Sequence, residues 1–392
     1  MGQRIRLTAL WAVSVALLCL VCGRARQQVI YGLDFRAVFD GALNLRLHLD
    51  PYLPVPDRFA FVYPPFAALV FLPISFLRAD AAVAAGLLLG AVSFFLIAVS
   101  CARLIGRALL GSCAAVVLVV LSISRLGLIS LALTNLSILM AAGISVALAL
   151  AAANRWRSAA IVLGTTIAIK PVVLLALLIF LSRRKWQAGA LCAAIPAGLN
   201  LAVLPFLASP ARFFTETLSS LAAGSTLPLR YNVSIGAALE RAGGSAALQH
   251  LARVAVVLVA TAVVAAVWRL RGPLALTILA VTPVLGFVLA SRTDELHYTL
   301  SAVPLAVALI AMATGWARAL AVTATVLSVA LPVGATTTQL LLLIAAGLAA
   351  KQCRDAVGER TPLEVVPGST LASIGSAAPL GSVAAGPAPT GR

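Results

Sequence analysis

The sequence predicts an all-α membrane protein that spans the bilayer many times. Three observations predict it. First, 62% of the 392 residues are hydrophobic and 10% are charged, with a mean hydropathy of +1.06, whereas a soluble domain is about half apolar and a quarter charged. Second, apolar segments recur from Leu7 almost to Ala350, several reaching the roughly 20 residues that a membrane helix needs. They are apolar on every side, which excludes the one-faced stripe of an ordinary soluble helix. Third, the basic residues that produce a net charge of +17 stand in small groups at segment ends. That distribution is a topology signal under the positive-inside rule. It is not the concentrated patch of a nucleic-acid-binding protein, so no nucleic-acid partner is expected.

With the N-terminus in the cytoplasm, the first helix covers about Leu7 to Cys22 and is read as uncleaved. A first outer loop follows over 23–80. Within it, Phe35, Val38, Phe39 and Ala42 recur at helical spacing, so a helix starting near Asp34 is expected to lie on the bilayer. The short apolar segment Pro64 to Leu77 is read as interfacial or re-entrant. Spans are then expected over 81–102, 108–123 and 133–152. The stretch 159–182 has Lys170-Pro171 at its centre, where proline breaks the helical ladder, so it is either one kinked span or two half-spans meeting outside, and the basic groups at both ends favour the half-spans. A span over 186–207 leads to a second outer loop over 208–250. Further spans are expected near 254–268, 274–291, 298–314, 319–331 and 339–350, about eleven or twelve in all. Residues 1–357 form one membrane domain, and the Gly-, Pro-, Ser- and Ala-rich 358–392 reads as a disordered cytoplasmic tail.

The six cysteines show no disulfide or zinc spacing. The twelve carboxylates are more informative. Asp34, Asp40, Asp50, Asp57 and Asp80 fall in or at the end of the first outer loop, and none occurs between Asp80 and Glu216. A coupled transporter carries ionisable groups at mid-membrane depth. Acids gathered in outer loops instead suit a site at the outer surface, although a passive lipid flippase or solute transporter remains the alternative from another class. From spacing alone, the reading of Asp34 as a helix N-cap or as the partner of a nearby Arg is the favoured one.

Several short motifs occur in order. They are Asp34 after the first span, Asp50-Pro51-Tyr52, Tyr63-Pro64-Pro65, Leu133-Thr134-Asn135-Leu136, Ile169-Lys170-Pro171, Arg184-Lys185-Trp186, Ser209 to Leu218, and Tyr231-Asn232-Val233-Ser234. Over roughly residues 30 to 305 the chain resembles the polyprenol-phosphate-sugar-dependent glycosyltransferases of the GT-C class. It is most similar to the α-(1→3)-arabinofuranosyltransferase branch that acts on arabinan in mycobacterial-type cell walls. The sister branch, which uses polyprenol-phosphate-mannose to build phosphatidylinositol mannosides and lipoglycans, differs at the Thr134-Asn135 step. The late segment Ser291 to Tyr298 fits neither branch cleanly.

The resemblance implies an inverting transfer of a sugar from a polyprenyl-phosphate donor to a glycan or glycolipid acceptor. It places the enzyme as a multi-pass protein in the plasma membrane, with its site on the extracytoplasmic side. Asp34 would be the general base. Lys170, Arg36, Arg230 and His297 are candidates for the donor phosphate. Tyr63, Asn135, Asn232 and Asp50 are candidates for sugar or acceptor contacts. No metal or other cofactor is implied. The residues also allow plainer roles: a snorkelling Lys170, solvated loop charges at Arg36 and Arg230, a hydrogen-bonded helix-end histidine at His297, an interfacial Tyr63, and an interhelical hydrogen bond at Asn135.

Overall fold

The structure is a computed structural model that describes residues 2–53, 55, 59–223, 232–292, 296–330 and 335–358. Among the described residues the regular elements are all helices: α1 (Gly2–Arg26), α2 (Leu33–Arg46), α3 (Pro65–Val70), α4 (Ala79–Leu104), α5 (Ser112–Ile123), α6 (Arg125–Leu133), α7 (Ser137–Ala152), α8 (Trp156–Ile169), α9 (Leu178–Ser182) and α10 (Trp186–Val203). The chain continues through α11 (Leu218–Ala223), α12 (Ile235–Arg241), α13 (Ala246–Val267), α14 (Pro273–Ala290), α15 (Val303–Met312), α16 (Gly315–Ala330) and α17 (Ala335–Gly358). Tight 3-10 turns at Leu72–Phe76, Pro171–Leu177 and Leu296–Ala302 continue or lead into α3, α9 and α15.

Five helices, α1, α4, α10 with its 3-10 extension, α13 and α14, are long and apolar enough to cross a bilayer. The pair α5 and α6, bent by 70°, would make a sixth, and five shorter apolar helices accompany them. The protein is therefore polytopic and all-helical. The expected eleven or twelve spans are reached only by counting the short helices. α14 is the central helix, with 78% of its apolar window buried, whereas α1 has 11% buried and faces outward. Around α14 pack α13, α15 and α17, and the largest apolar core joins these to α7 and α8. A second core joins α1, α4, α5 and α6. A third, aromatic core joins α2, the segment leading into α3, and α3 itself.

The chain ends each helix for local reasons. Ser124 accepts a hydrogen bond from the Gly127 backbone at 2.9 Å, which caps α6 and turns it away from α5. Helix α6 thus fills the stretch left between the spans expected over 108–123 and 133–152. At the other end of α6, Thr134 takes the left-handed conformation (φ 55°) that often closes a helix. The Lys170-Pro171 step ends α8, with Lys170 extended (φ −143°).

The reversal at Lys170 is visible in the packing. Gly164 of α8 lies against Cys192 and Ile195 of α10. One turn further along, Asn200 donates to the Ala168 carbonyl at 3.2 Å. Contacts that advance together along both chains mean that α8 and α10 are parallel. The segment 171–182 must therefore run back between them, as two half-spans require.

Several boundaries differ from the sequence reading. α1 runs on to Arg26, and α4 begins at Ala79, so Asp80 sits in a helical first turn. α13 begins at Ala246 and shortens the second outer loop. α17 extends to Gly358, and the proposed tail beyond it lies outside the described residues. The stripe of α2 is also placed differently. Phe35, Val38, Phe39 and Ala42 are all buried, but against protein rather than lipid. Phe71 meets Phe35 edge-on, and Phe61, Tyr52 and Tyr63 stack beside them.

Candidate active site

Asp34 owes its position to the turn before it. Gly32 is left-handed (φ 73°), and a Cβ there would sit 2.4 Å from Val83 Cγ1, so only glycine fits. Its N–H donates to the Ala132 carbonyl at 2.7 Å, which ties the start of α2 to the end of α6. Gly32, not Asp34, occupies the N-cap position of α2. The half-buried Asp34 carboxylate instead accepts a hydrogen bond from the Asn135 side-chain amide.

Asn135 is held from the other side as well. It follows the left-handed Thr134, and its Oδ1 accepts from the Ser137 backbone N–H at 2.7 Å, capping α7. An acceptor fixed on that side leaves the Nδ2 donors directed at α2. Lys170 then reaches the same residues from the apex between α8 and the 3-10 turn. Its Nζ donates to Ser137 Oγ at 2.6 Å and to Asn135 Oδ1 at 3.4 Å. The ammonium also lies 4.3 Å from the Tyr298 ring centroid and 5.6 Å from that of Tyr63. These are attractive cation–π distances. Lys170 is only 7% exposed, so it does not snorkel. His297, buried, stacks on Tyr298 with ring centroids 5.0 Å apart.

Four of the residues singled out in the sequence are thus brought together, Asp34, Asn135, Lys170 and Tyr63, and His297 adjoins them through the Tyr298 ring. They come from α2, the α6–α7 junction, the Lys170 reversal, the segment before α3 and the 3-10 turn before α15. The others lie differently. Arg36 faces Asp80 at 3.8 Å on an exposed surface. Arg230 lies outside the described residues. Asn232 donates to the Arg292 carbonyl at 2.7 Å and accepts from the Ser234 backbone at 3.0 Å, so it organises the turn into α12.

Asp50 accepts from the Tyr52 backbone at 2.9 Å and from Arg212 at 3.1 Å. It clamps the segment between α2 and α3 to the one between α10 and α11, because Arg212 lies just before the π-helical turn Phe213–Thr217 and also holds Glu216 at 2.8 Å. Hydrogen bonds from Arg212 first to Glu216 and then to Asp50 hold its pKa above the ordinary value. Burial, and then the negative charge of Asp50, push the Tyr52 hydroxyl well above the usual phenol range. Tyr52 stays protonated and donates to the Tyr63 carbonyl at 3.0 Å.

Sequence reasoning missed Ser137, Tyr298 and Arg212 as site or support residues. Ser137 had a signal, since an Asn two residues ahead of a helix-starting Ser is a local capping pattern. Tyr298 had none, because its ring meets Lys170 across 128 positions of chain. Among the described residues no group of three or more His, Cys, Asp or Glu is placed to hold a metal ion.

No curated protein matches the sequence. The profile of Glycosyltransferase family 87 matches residues 61–292, more than half of the chain. The matched region contains Tyr63, Asn135, Ser137 and Lys170, and the helix carrying Asp34 packs directly onto it. The chain belongs to glycosyltransferase family 87.

Proposed function

We propose that this glycosyltransferase moves arabinofuranose from decaprenyl-phosphate-arabinose to an arabinan hydroxyl, forming an α-(1→3) branch. The transfer takes place on the extracytoplasmic side of the plasma membrane, in a GT-C-type fold. The observation that supports this most is a single amide, Asn135, which donates to the Asp34 carboxylate and accepts from the Lys170 ammonium at 3.4 Å. A base and a cation fixed on either side of one group suit a single displacement at a sugar carried on a lipid phosphate.

In that displacement Asp34 takes the proton of the acceptor hydroxyl as its oxygen bonds to the anomeric carbon. The bond from that carbon to the phosphate oxygen breaks on the opposite face, and its electron pair stays on the phosphate. Inversion follows from one displacement. The leaving group departs as an anion, so the second carboxylate needed for glycoside hydrolysis has no task here. Lys170 supplies positive charge where negative charge develops, in surroundings dry enough for that charge to act strongly. His297 stands in the same buried group and is the next candidate for the phosphate. Tyr63 and the Asn135 amide are placed for sugar hydroxyls. Asp50 and Asn232 serve the site by shaping the loops over it.

The test is direct. Purified protein is given radiolabelled decaprenyl-phosphate-arabinose and an α-(1→5)-arabinan oligosaccharide. Arabinose transfer is expected, with a loss of about 10²- to 10⁴-fold in Asp34→Ala, the range for removing a general base. Full activity in that variant would remove Asp34 from the role. Transfer only from polyprenyl-phosphate-mannose would assign the protein to the mannosyl branch.

A further inference from the structure

A cavity of about 1070 Å³ lies between α1, α5, α15, α16 and α17, with Ser124 and Leu126 at the start of α6 also in its wall. It exceeds the roughly 300–1,000 Å³ of ordinary small-molecule pockets. Its wall is a column of aliphatic side chains, among them Leu10, Val116, Val120, Val307 and Ile310. Val116 is half exposed, so the column opens sideways where lipid would lie. Its charged lining residues are two arginines, Arg6 and Arg107, both at one mouth. Neither has an ion-pair partner among the described residues.

The mouth lies a bilayer thickness from the candidate active site. Arg6 stands about 30 Å along α1 from its end at Arg26, at about 1.5 Å per residue. Arg107 follows α4, whose opposite end at Asp80 faces Arg36 of α2. Both arginines therefore sit on the face opposite Asp34. An anionic headgroup held by them has its chains pointing toward Asp34, the reverse of a donor whose phosphate is at Lys170.

We propose that this cavity binds an anionic phospholipid of the leaflet opposite the active site. Arg6 and Arg107 take its phosphate, and its acyl chains fill the aliphatic column. Charge complementarity selects the occupant. Two arginines with no ion-pair partner among the described residues, at the end of an apolar slot, match a negatively charged headgroup on hydrocarbon chains, and the positive-inside rule puts them in the leaflet rich in such lipids. The upper end of the column is closed by Thr299 and Ala302 of the 3-10 turn that carries His297 and Tyr298. The bound chains thus pack behind the segment that presents Tyr298 to Lys170.

The full chain in nanodiscs of phosphatidylcholine doped with phosphatidylglycerol provides the test, with lipid retention read by native mass spectrometry. Retention of phosphatidylglycerol over phosphatidylcholine is expected. It should fall about fivefold for each arginine replaced and about thirtyfold in Arg6→Gln with Arg107→Gln, while the neutral lipid is unaffected. Ala306→Trp, which fills the column without altering charge, is expected to expel the lipid from a protein that still elutes as one species. Equal retention of the two lipids, or retention unchanged in both variants, would overturn the proposal. So would a retained lipid that proves to be a polyprenyl phosphate released by Lys170→Ala rather than by the arginine changes.

Discussion

At the scale of single residues, the site is a problem of placing a cation in a dry environment. Burying an ammonium is costly unless every proton on it finds an acceptor or a ring face. Lys170 meets that requirement with Ser137 Oγ, Asn135 Oδ1 and the Tyr298 ring. Lys170→Ala is expected to lower kcat by about 10²- to 10³-fold, as for loss of one donor that stabilises developing charge. Lys170→Arg is expected not to rescue it, because a planar fork does not fit a slot shaped for a compact ammonium. Ser137→Ala removes an acceptor from a buried charge and is expected to cost about 1.5–3 kcal/mol of stability. Its turnover should fall less than that of Lys170→Ala. Thermal unfolding beside single-turnover rates separates the two effects.

At the scale of elements, the site depends on how closely three helices approach. Gly86 of α4 stands where α2 and the α6–α7 junction meet. A Cβ there would lie 2.7 Å from Thr134 Cγ2 and 2.8 Å from Phe35 Cδ2. These are the chain neighbours of Asn135 and Asp34. Gly86→Ala is therefore expected to cost about 1–3 kcal/mol by overpacking. It should also slow transfer by spreading the Asp34–Asn135 contact, a joint loss that the same two assays detect.

The segments joined by Asp50 and Arg212 form a second such unit. Arg212→Ala leaves the buried Asp50 carboxylate without its cation. Limited proteolysis within 208–223 is expected to accelerate several-fold. Asp50→Asn with Arg212→Ala should add little further, because the two residues form one interaction.

At the scale of the whole molecule, the parallel packing of α8 and α10 decides topology. Both helices start at one face, so the joints around Asn154 and Arg184 lie on the same side, and the end of α1 lies on the other. Single cysteines at Asn154→Cys and Arg184→Cys, in a chain freed of its native cysteines, are expected to resist a membrane-impermeant maleimide on intact cells. Gln28→Cys is expected to react. Opposite labelling of the first two would contradict the half-span hairpin. The near absence of carboxylates from the long apolar helices is in keeping with the proposed lipid-borne donor, for which the membrane holds the substrate instead of being a barrier to be crossed.

Much of this was legible in the chain itself. Apolar length and basic segment ends decided that the fold is helical and polytopic, because a bilayer leaves the backbone no other way to satisfy its hydrogen bonds over such stretches. The Lys170-Pro171 step marked a reversal, because proline ends helices by local sterics. Asp34, Asn135 and Lys170 stood out as polar residues at the ends of apolar segments, and the motif order around them pointed to a glycosyltransferase. Only the tertiary structure decided which of nine candidate residues meet. Asp50 and Asn232 have the same composition and loop setting as Asp34 and Asn135, yet they hold loops together. Contacts such as Lys170 with Tyr298, or Arg212 with Asp50, join residues more than a hundred positions apart. They depend on how helices pack, and local sequence carries no record of that.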